Sequence, residues 1–94
     1  MKDIMLNNLK YELITNVRDG YDKEEVQGKA TDYFIPFDYI VGDWAYGKLR
    51  LKGFYDKKNK NCKEINNIEN LDKYIKENCA FNCRYFVLKK YVQK

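Results

Sequence analysis

The sequence has no histidine, a single proline at Pro36, five glycines and no apolar run near the length of about 20 residues that a membrane span needs. Without histidine the chain lacks the usual general base near neutral pH and the commonest nitrogen ligand for metals. No other catalytic constellation is visible, so no enzyme activity, no metal and no cofactor is expected. Cysteine is scarce as well: Cys62, Cys79 and Cys83 make an odd count, which argues against a disulfide framework. Nothing in Met1 to Asn8 resembles a secretory signal. The expectation is a cytoplasmic protein with three reduced thiols.

What is present is enough for one core. The 94 residues are 45 % hydrophobic and 34 % charged, the balance of a soluble domain, and residues 1–94 are read as a single unit. The net charge of +4 and pI of 8.9 are compatible with an acidic partner such as RNA or DNA. They do not require one, because the chain is rich in Lys, Asn, Ile and Tyr, and the AT-rich codons of these residues supply lysine without selection for binding.

Alternation of Leu9, Tyr11 and Leu13 with Lys10 and Glu12 predicts a first strand over Leu9 to Val17. Arg18, Asp19 and Gly20 then make a turn, with the positive φ assigned to Gly20. Asp22, with Glu25 three residues on, has the form of a capping box, and Tyr21 with Val26 that of a hydrophobic staple. A helix follows whose buried stripe is Val26, Ala30 and Tyr33, ended by Pro36.

Tyr39 to Tyr55 reads as a hairpin turning at Ala45, Tyr46, Gly47 and Lys48. An even loop sets Trp44 across from Leu49, Gly42 from Leu51 and Ile40 from Gly53 on one face, and Asp43 from Arg50 and Val41 from Lys52 on the other. A three-residue loop would mix the faces, so the pattern selects the even one. Asp56 to Asn61 is a polar loop, and Cys62 to Ile65 is read as a short edge strand. Asn70 is the expected cap of a second helix burying Leu71, Tyr74, Ile75 and Cys79. Asn82 suits a left-handed helix end, and Tyr85 to Leu88 a strand covered on both faces. The result is an α+β fold, a small mainly antiparallel sheet with two helices, in the order strand, helix, hairpin, helix, strand. Leu13, Ile40, Trp44, Leu49, Leu51, Leu71, Ile75, Phe86 and Leu88 are the expected apolar anchors.

Two long segments, FDYIVGDWAYGKLRLKGFYD from Phe37 to Asp56 and CAFNCRYFVLKK from Cys79 to Lys90, resemble the signature of the bacterial YutD-like family. LDKYIKEN from Leu71 and YELI from Tyr11 keep the same order, so the resemblance spans most of the chain. It implies a small bacterial α+β domain and brings no assigned activity. The lysine-rich loop at Asp56 to Lys63 departs from the family pattern, so no role for Cys62 is inherited.

Three features bear on function. Asp43 is a candidate carboxylate, but its place across from Arg50 favours a structural ion pair. Cys79 and Cys83 are four apart. A structural zinc needs four ligands and Cys62 supplies only a third, so buried inert thiols are expected, with a redox pair as the alternative. Lys48, Arg50 and Lys52 alternate along one strand at intervals of roughly 6.7 Å, a ladder able to follow a phosphate backbone, with Lys89 and Lys90 extending it. A solvated polar face is the plain reading of the same pattern. Two functions follow: a non-enzymatic domain that contacts RNA or DNA through Lys48, Arg50, Lys52, Lys89 and Lys90, or an adaptor whose exposed Tyr46 and Tyr55 dock on a cytosolic protein. No small-molecule substrate and no membrane is implied.

Overall fold

Two tight hairpins frame the molecule, each closed by two residues in the left-handed backbone region. The computed structural model describes residues 2–78 and 83–91. Strand β1 (Lys2–Leu6) turns through Asn7 and Asn8, at φ 52° and 63°, into β2 (Leu9–Val17). Strand β3 (Tyr39–Ala45) turns through Tyr46 and Gly47, at φ 54° and 76°, into β4 (Lys48–Phe54). Two consecutive positive φ values match the right-handed twist of the flanking strands, which is why two-residue hairpins adopt them. The even loop is therefore the observed one, with Trp44 across from Leu49, Gly42 from Leu51 and Asp43 from Arg50.

The last strand, β5 (Tyr85–Lys90), joins the hairpins by pairing antiparallel with β2 on one side and β3 on the other. The five-stranded antiparallel sheet runs β1-β2-β5-β3-β4. Helix α1 (Lys23–Lys29) lies on one face and helix α2 (Leu71–Asn78) on the other. The α+β class and antiparallel sheet are those expected. The order of elements needs correction, because β1 precedes the strand that was expected to be first. Ile4 and Leu6 alternate in β1 with exposed neighbours and are buried, the same period of two that marks the strand after it.

The main core lies under α1. Ile4, Leu6, Tyr11, Leu13, Ile40, Leu49, Phe86 and Leu88 from the sheet meet Val26, Ala30 and Phe34. Asp22 caps α1 as expected, its Oδ1 accepting the Glu25 amide at 3.2 Å. The helix ends at Lys29, and a separate 3₁₀ turn at Asp32–Phe34 rotates the chain so that Phe34 is buried. Tyr33, expected in the core, is thereby turned outward.

A second, smaller core lies on the opposite face. Val41, Phe54 and Val87 are buried beneath Ile68, Leu71, Tyr74 and Ile75. Lys63 to Asn70 is not a strand at any point: 3₁₀ turns at Glu64–Asn66 and Ile68–Asn70 lead directly into α2, so the Cys62 to Ile65 strand does not form. Asn67, one turn before the expected Asn70, caps this run by accepting the Glu69 amide at 2.9 Å. Leu71 and Ile75 are half-buried, as are Leu51 and Trp44. Trp44 packs at the rim of the main core, where its Nε1–H donates to the Gly20 carbonyl at 2.7 Å and the Arg84 guanidinium lies 4.4 Å from the ring.

Two of the three glycines that sit tightly explain themselves by close approach. Gly42 stands directly across from Phe86, whose ring occupies the space a Cβ would need. Gly20 has the Tyr85 backbone 2.7 Å from that position, while the positive φ values of its turn fall on Arg18 and Asp19 instead. The expectation of three reduced thiols is also corrected: Cys62 is free, but Cys83 is disulfide-bonded. Cys79 and Asn82, and the readings placed on them, lie outside the described residues.

Gly42→Ala pushes against the fully buried Phe86 ring and lowers stability by about 1–3 kcal/mol. Gly28→Ala meets no atom within 4 Å and raises stability by about 0.4–1 kcal/mol through the unfolded chain. Urea unfolding with unchanged slope measures both.

Candidate functional site

The surface features of greatest chemical interest lie along one edge of the sheet. Strand β4 is an outer strand, so one side of its backbone has no neighbouring strand. Tyr55, just past its end, shows which groups point that way: its N–H donates to the Asn66 carbonyl at 2.7 Å and its carbonyl accepts from Ile68 N–H at 3.0 Å. Alternation by two then directs the main-chain groups of Leu49, Leu51 and Gly53 to the same side. Among the described residues, no main-chain bond from another element reaches those three.

On the α1 side of this edge an aromatic cluster forms a wall. Phe37 covers Gly53, its ring filling the space where a Cβ would stand. Its ring centroid is 5.6 Å from Tyr33 and 4.8 Å from Tyr55. Tyr33 is 67 % exposed, and Ile65, from the 3₁₀ turn opposite, is 76 % exposed. Between them lies an open recess of about 250 Å³ lined by Tyr33, Phe34, Phe37, Leu51, Lys52, Gly53, Ile65 and Asn66. A neighbouring recess of about 280 Å³ shares Lys52 and Ile65 and adds Tyr74, with Glu64, Lys73 and Glu77 as its charged rim.

At the far end of the edge stands Tyr46, fully exposed at the hairpin tip. A bulky residue at positive φ costs about 1 kcal/mol or more relative to the Asn, Asp or Gly that such turns favour. Nothing in the fold requires an aromatic there. Tyr55, by contrast, is half-buried against Phe37 and is not a free docking side chain.

The α2 side of the edge is cationic but is not the open ladder that alternation suggests. Lys48 is exposed. Arg50 donates from Nε to Oδ1 of Asp43 at 2.8 Å, with Asp43 only 1 % exposed and the arginine side chain 46 % exposed. Holding a buried carboxylate is thus the first duty of this guanidinium, as the register implied, and the hydrogen bond with Asp43 raises its pKa. The phenol of Tyr74 from α2 stands close to the same carboxylate: burial first, then the Asp43 charge, pushes it up to about 12. Lys52 is half-buried, its Nζ 5.4 Å from the Phe54 ring centroid and 5.5 Å from that of Tyr74.

The remaining two basic residues lie elsewhere. Lys89, exposed on β5, stands across from Glu12 on β2. Lys90 points to the opposite face and donates from Nζ to the Ile35 carbonyl at 2.7 Å. The five cations therefore form no continuous stripe, since α2 occupies the middle of the face and alternation separates neighbours in β5. Tyr33 and Ile65, the exposed apolar residues beside the edge, were not recognised as a site. Their signals were a break at Thr31 and Asp32 ahead of Tyr33, and an isolated branched side chain in an otherwise polar loop.

Arg50→Ala strands a buried charge and lowers stability by about 3–5 kcal/mol, whereas Lys48→Ala stays within about 0.5 kcal/mol. Tyr46→Asn relieves the left-handed strain and raises stability by about 1 kcal/mol. Thermal unfolding of the three variants checks both signs.

The comparisons with known proteins agree on ancestry. Residues 5–89 match the family model described as "Putative antitoxin YutD-like". The protein named "Putative antitoxin YutD" from Bacillus subtilis (strain 168) is 46 % identical over 87 residues, covering 93 % of this chain and 96 % of the relative. The solution NMR structure of protein yutD from B. subtilis superposes with a TM-score of 0.83 at 43 % identity, covering 99 % of this chain and 84 % of that one. The match runs through both hairpins and the strand that joins them, and the chain belongs to the YutD-like family.

Proposed function

We propose that this chain is a non-enzymatic protein-binding domain which acts as an antitoxin, by covering the surface of a protein toxin in the cytoplasm. The family description supplies the antitoxin part of this reading. The single observation that carries the binding part is the set of exposed apolar side chains along one strand edge: Tyr33 and Ile65 at one end and Tyr46 at the other. Tyrosine on a rigid element loses little conformational freedom on docking, and exposed aromatic anchors beside apolar recesses are typical of interface centres. A strained, exposed Tyr46 is also the kind of local cost that proteins retain for function.

Nucleic acid is the weaker reading. Phosphate binding draws on several cations acting together, and here Arg50 serves Asp43, Lys52 lies on two aromatic rings and Lys90 faces away. Exposed Lys48 beside Tyr46, and exposed Lys89 on β5 across from Glu12, are what remain in its favour.

The test is affinity capture by the tagged full chain from a lysate of the bacterium that carries the gene, with and without nuclease. A specific protein is expected to survive nuclease and to bind at least tenfold more weakly to Tyr33→Ala and to Ile65→Ser, which touch only exposed positions. Tyr46→Asn is expected to lose capture while gaining stability. Capture that vanishes with nuclease, or falls steeply between low and moderate salt for every partner, would replace this reading with nucleic-acid binding.

A further inference from the structure

The way a partner would engage this surface is legible from the edge itself. Resting on the protein-binding reading above, we infer that β4 receives an extended, acidic segment of the partner as a sixth strand of the sheet. Three observations converge on this mode. The first is the unpaired backbone: Leu49, Leu51 and Gly53 direct their main-chain groups outward with no bond from another element among the described residues. The chain itself begins such a pairing just beyond them, where Tyr55 forms a parallel bridge with Asn67. The edge available to a partner is thus the five residues from Leu49 to Gly53, about 17 Å long.

The second observation is that the two flanks of this edge differ in character. A strand added to β4 alternates its side chains between the two faces of the sheet. Those on the α1 side enter the recess between Tyr33, Phe37 and Leu51 and want to be apolar. Those on the α2 side meet Lys48 and Arg50 first, where Asp43 across the hairpin is already paired with Arg50. They then meet Lys52, beside which Glu64 and Glu77 offset Lys73, so the positive charge is strongest at the Lys48 end of the edge. Alternating apolar and acidic residues therefore suit this edge, in the manner of strand-addition recognition generally.

The third concerns the occupant that is excluded. A second copy pairing antiparallel through β4 would place Lys48, Arg50 and Lys52 against their own counterparts, and like charges directly opposite are destabilising. Cations on an edge strand are a known guard against self-pairing. The same charge that rejects another copy of this chain selects an acidic strand.

The experiment uses the full chain, labelled with nitrogen-15, titrated with a seven-residue peptide that alternates glutamate and valine and is blocked at both ends. Amide resonances of Leu49, Leu51 and Gly53 are expected to move most. A peptide of alternating lysine and valine, and a glutamate-valine peptide N-methylated on alternate residues, should each bind at least tenfold more weakly. Leu51→Pro removes an outward N–H without breaking the β3–β4 ladder, and should abolish the shifts. If that variant does not fold, the N-methylated peptide decides. Unmoved amides at millimolar glutamate-valine peptide, or equal binding of the lysine peptide, would overturn strand addition. Protein capture lost in Tyr33→Ala but retained in Leu51→Pro would also overturn strand addition and leave the antitoxin reading standing. Peptide shifts with no nuclease-resistant capture would support strand addition and remove that reading.

Discussion

Everything in this molecule depends on the insertion of β5 between the two hairpins. Phe86, Val87 and Leu88 are buried on alternating sides of the sheet, so one strand supplies both cores at once. Its partners are set by shape as well as by hydrogen bonds: the Phe86 ring lies on Gly42, and the Tyr85 backbone closes on Gly20. Because β5 takes the central place, β1 and β4 are left as the two edges. The open β4 edge, on which the proposed docking rests, is a consequence of this topology.

Covering both faces changes what the polar residues do. A hairpin with one wet face would leave Asp43, Arg50 and Lys52 in solvent as a simple charged stripe. With α2 laid over Val41, Phe54 and Val87, the same residues become the boundary of a second core. Asp43 is buried and held by Arg50, the Tyr74 phenol has its pKa pushed up to about 12, and the Lys52 ammonium lies over the Phe54 and Tyr74 rings. Cations that look equivalent in the alternating pattern thus carry different loads: Lys48 is exposed to solvent, and Arg50 is first a structural counter-ion.

The proposed binding edge combines features that a stability-optimised domain would avoid. Tyr46 occupies a backbone conformation that disfavours it, Tyr33 and Ile65 expose apolar surface, and a run of main-chain groups on β4 lies open. An aromatic wall on one flank and positive charge on the other limit the strands that can add there. Cations on an edge strand are one of the devices by which such an edge resists pairing with its own copies.

The sequence by itself determined the class of fold, the register of the second hairpin, the Asp22 helix cap, the doubly covered C-terminal strand and the family. Each rests on a local rule: alternation by two, a turn that accepts positive φ, or a capping side chain three residues from its amide. The first strand was legible by the same rules in Ile4, Leu6 and the Asn7-Asn8 turn. Only the tertiary structure decided that Tyr33 faces out, that Cys62 to Ile65 forms a turn beside an edge, that Cys83 is oxidised, and that the basic ladder is divided. Those outcomes depend on which elements pack against which faces, and a one-dimensional pattern of polar and apolar residues reads the same whether its polar face meets water or a helix.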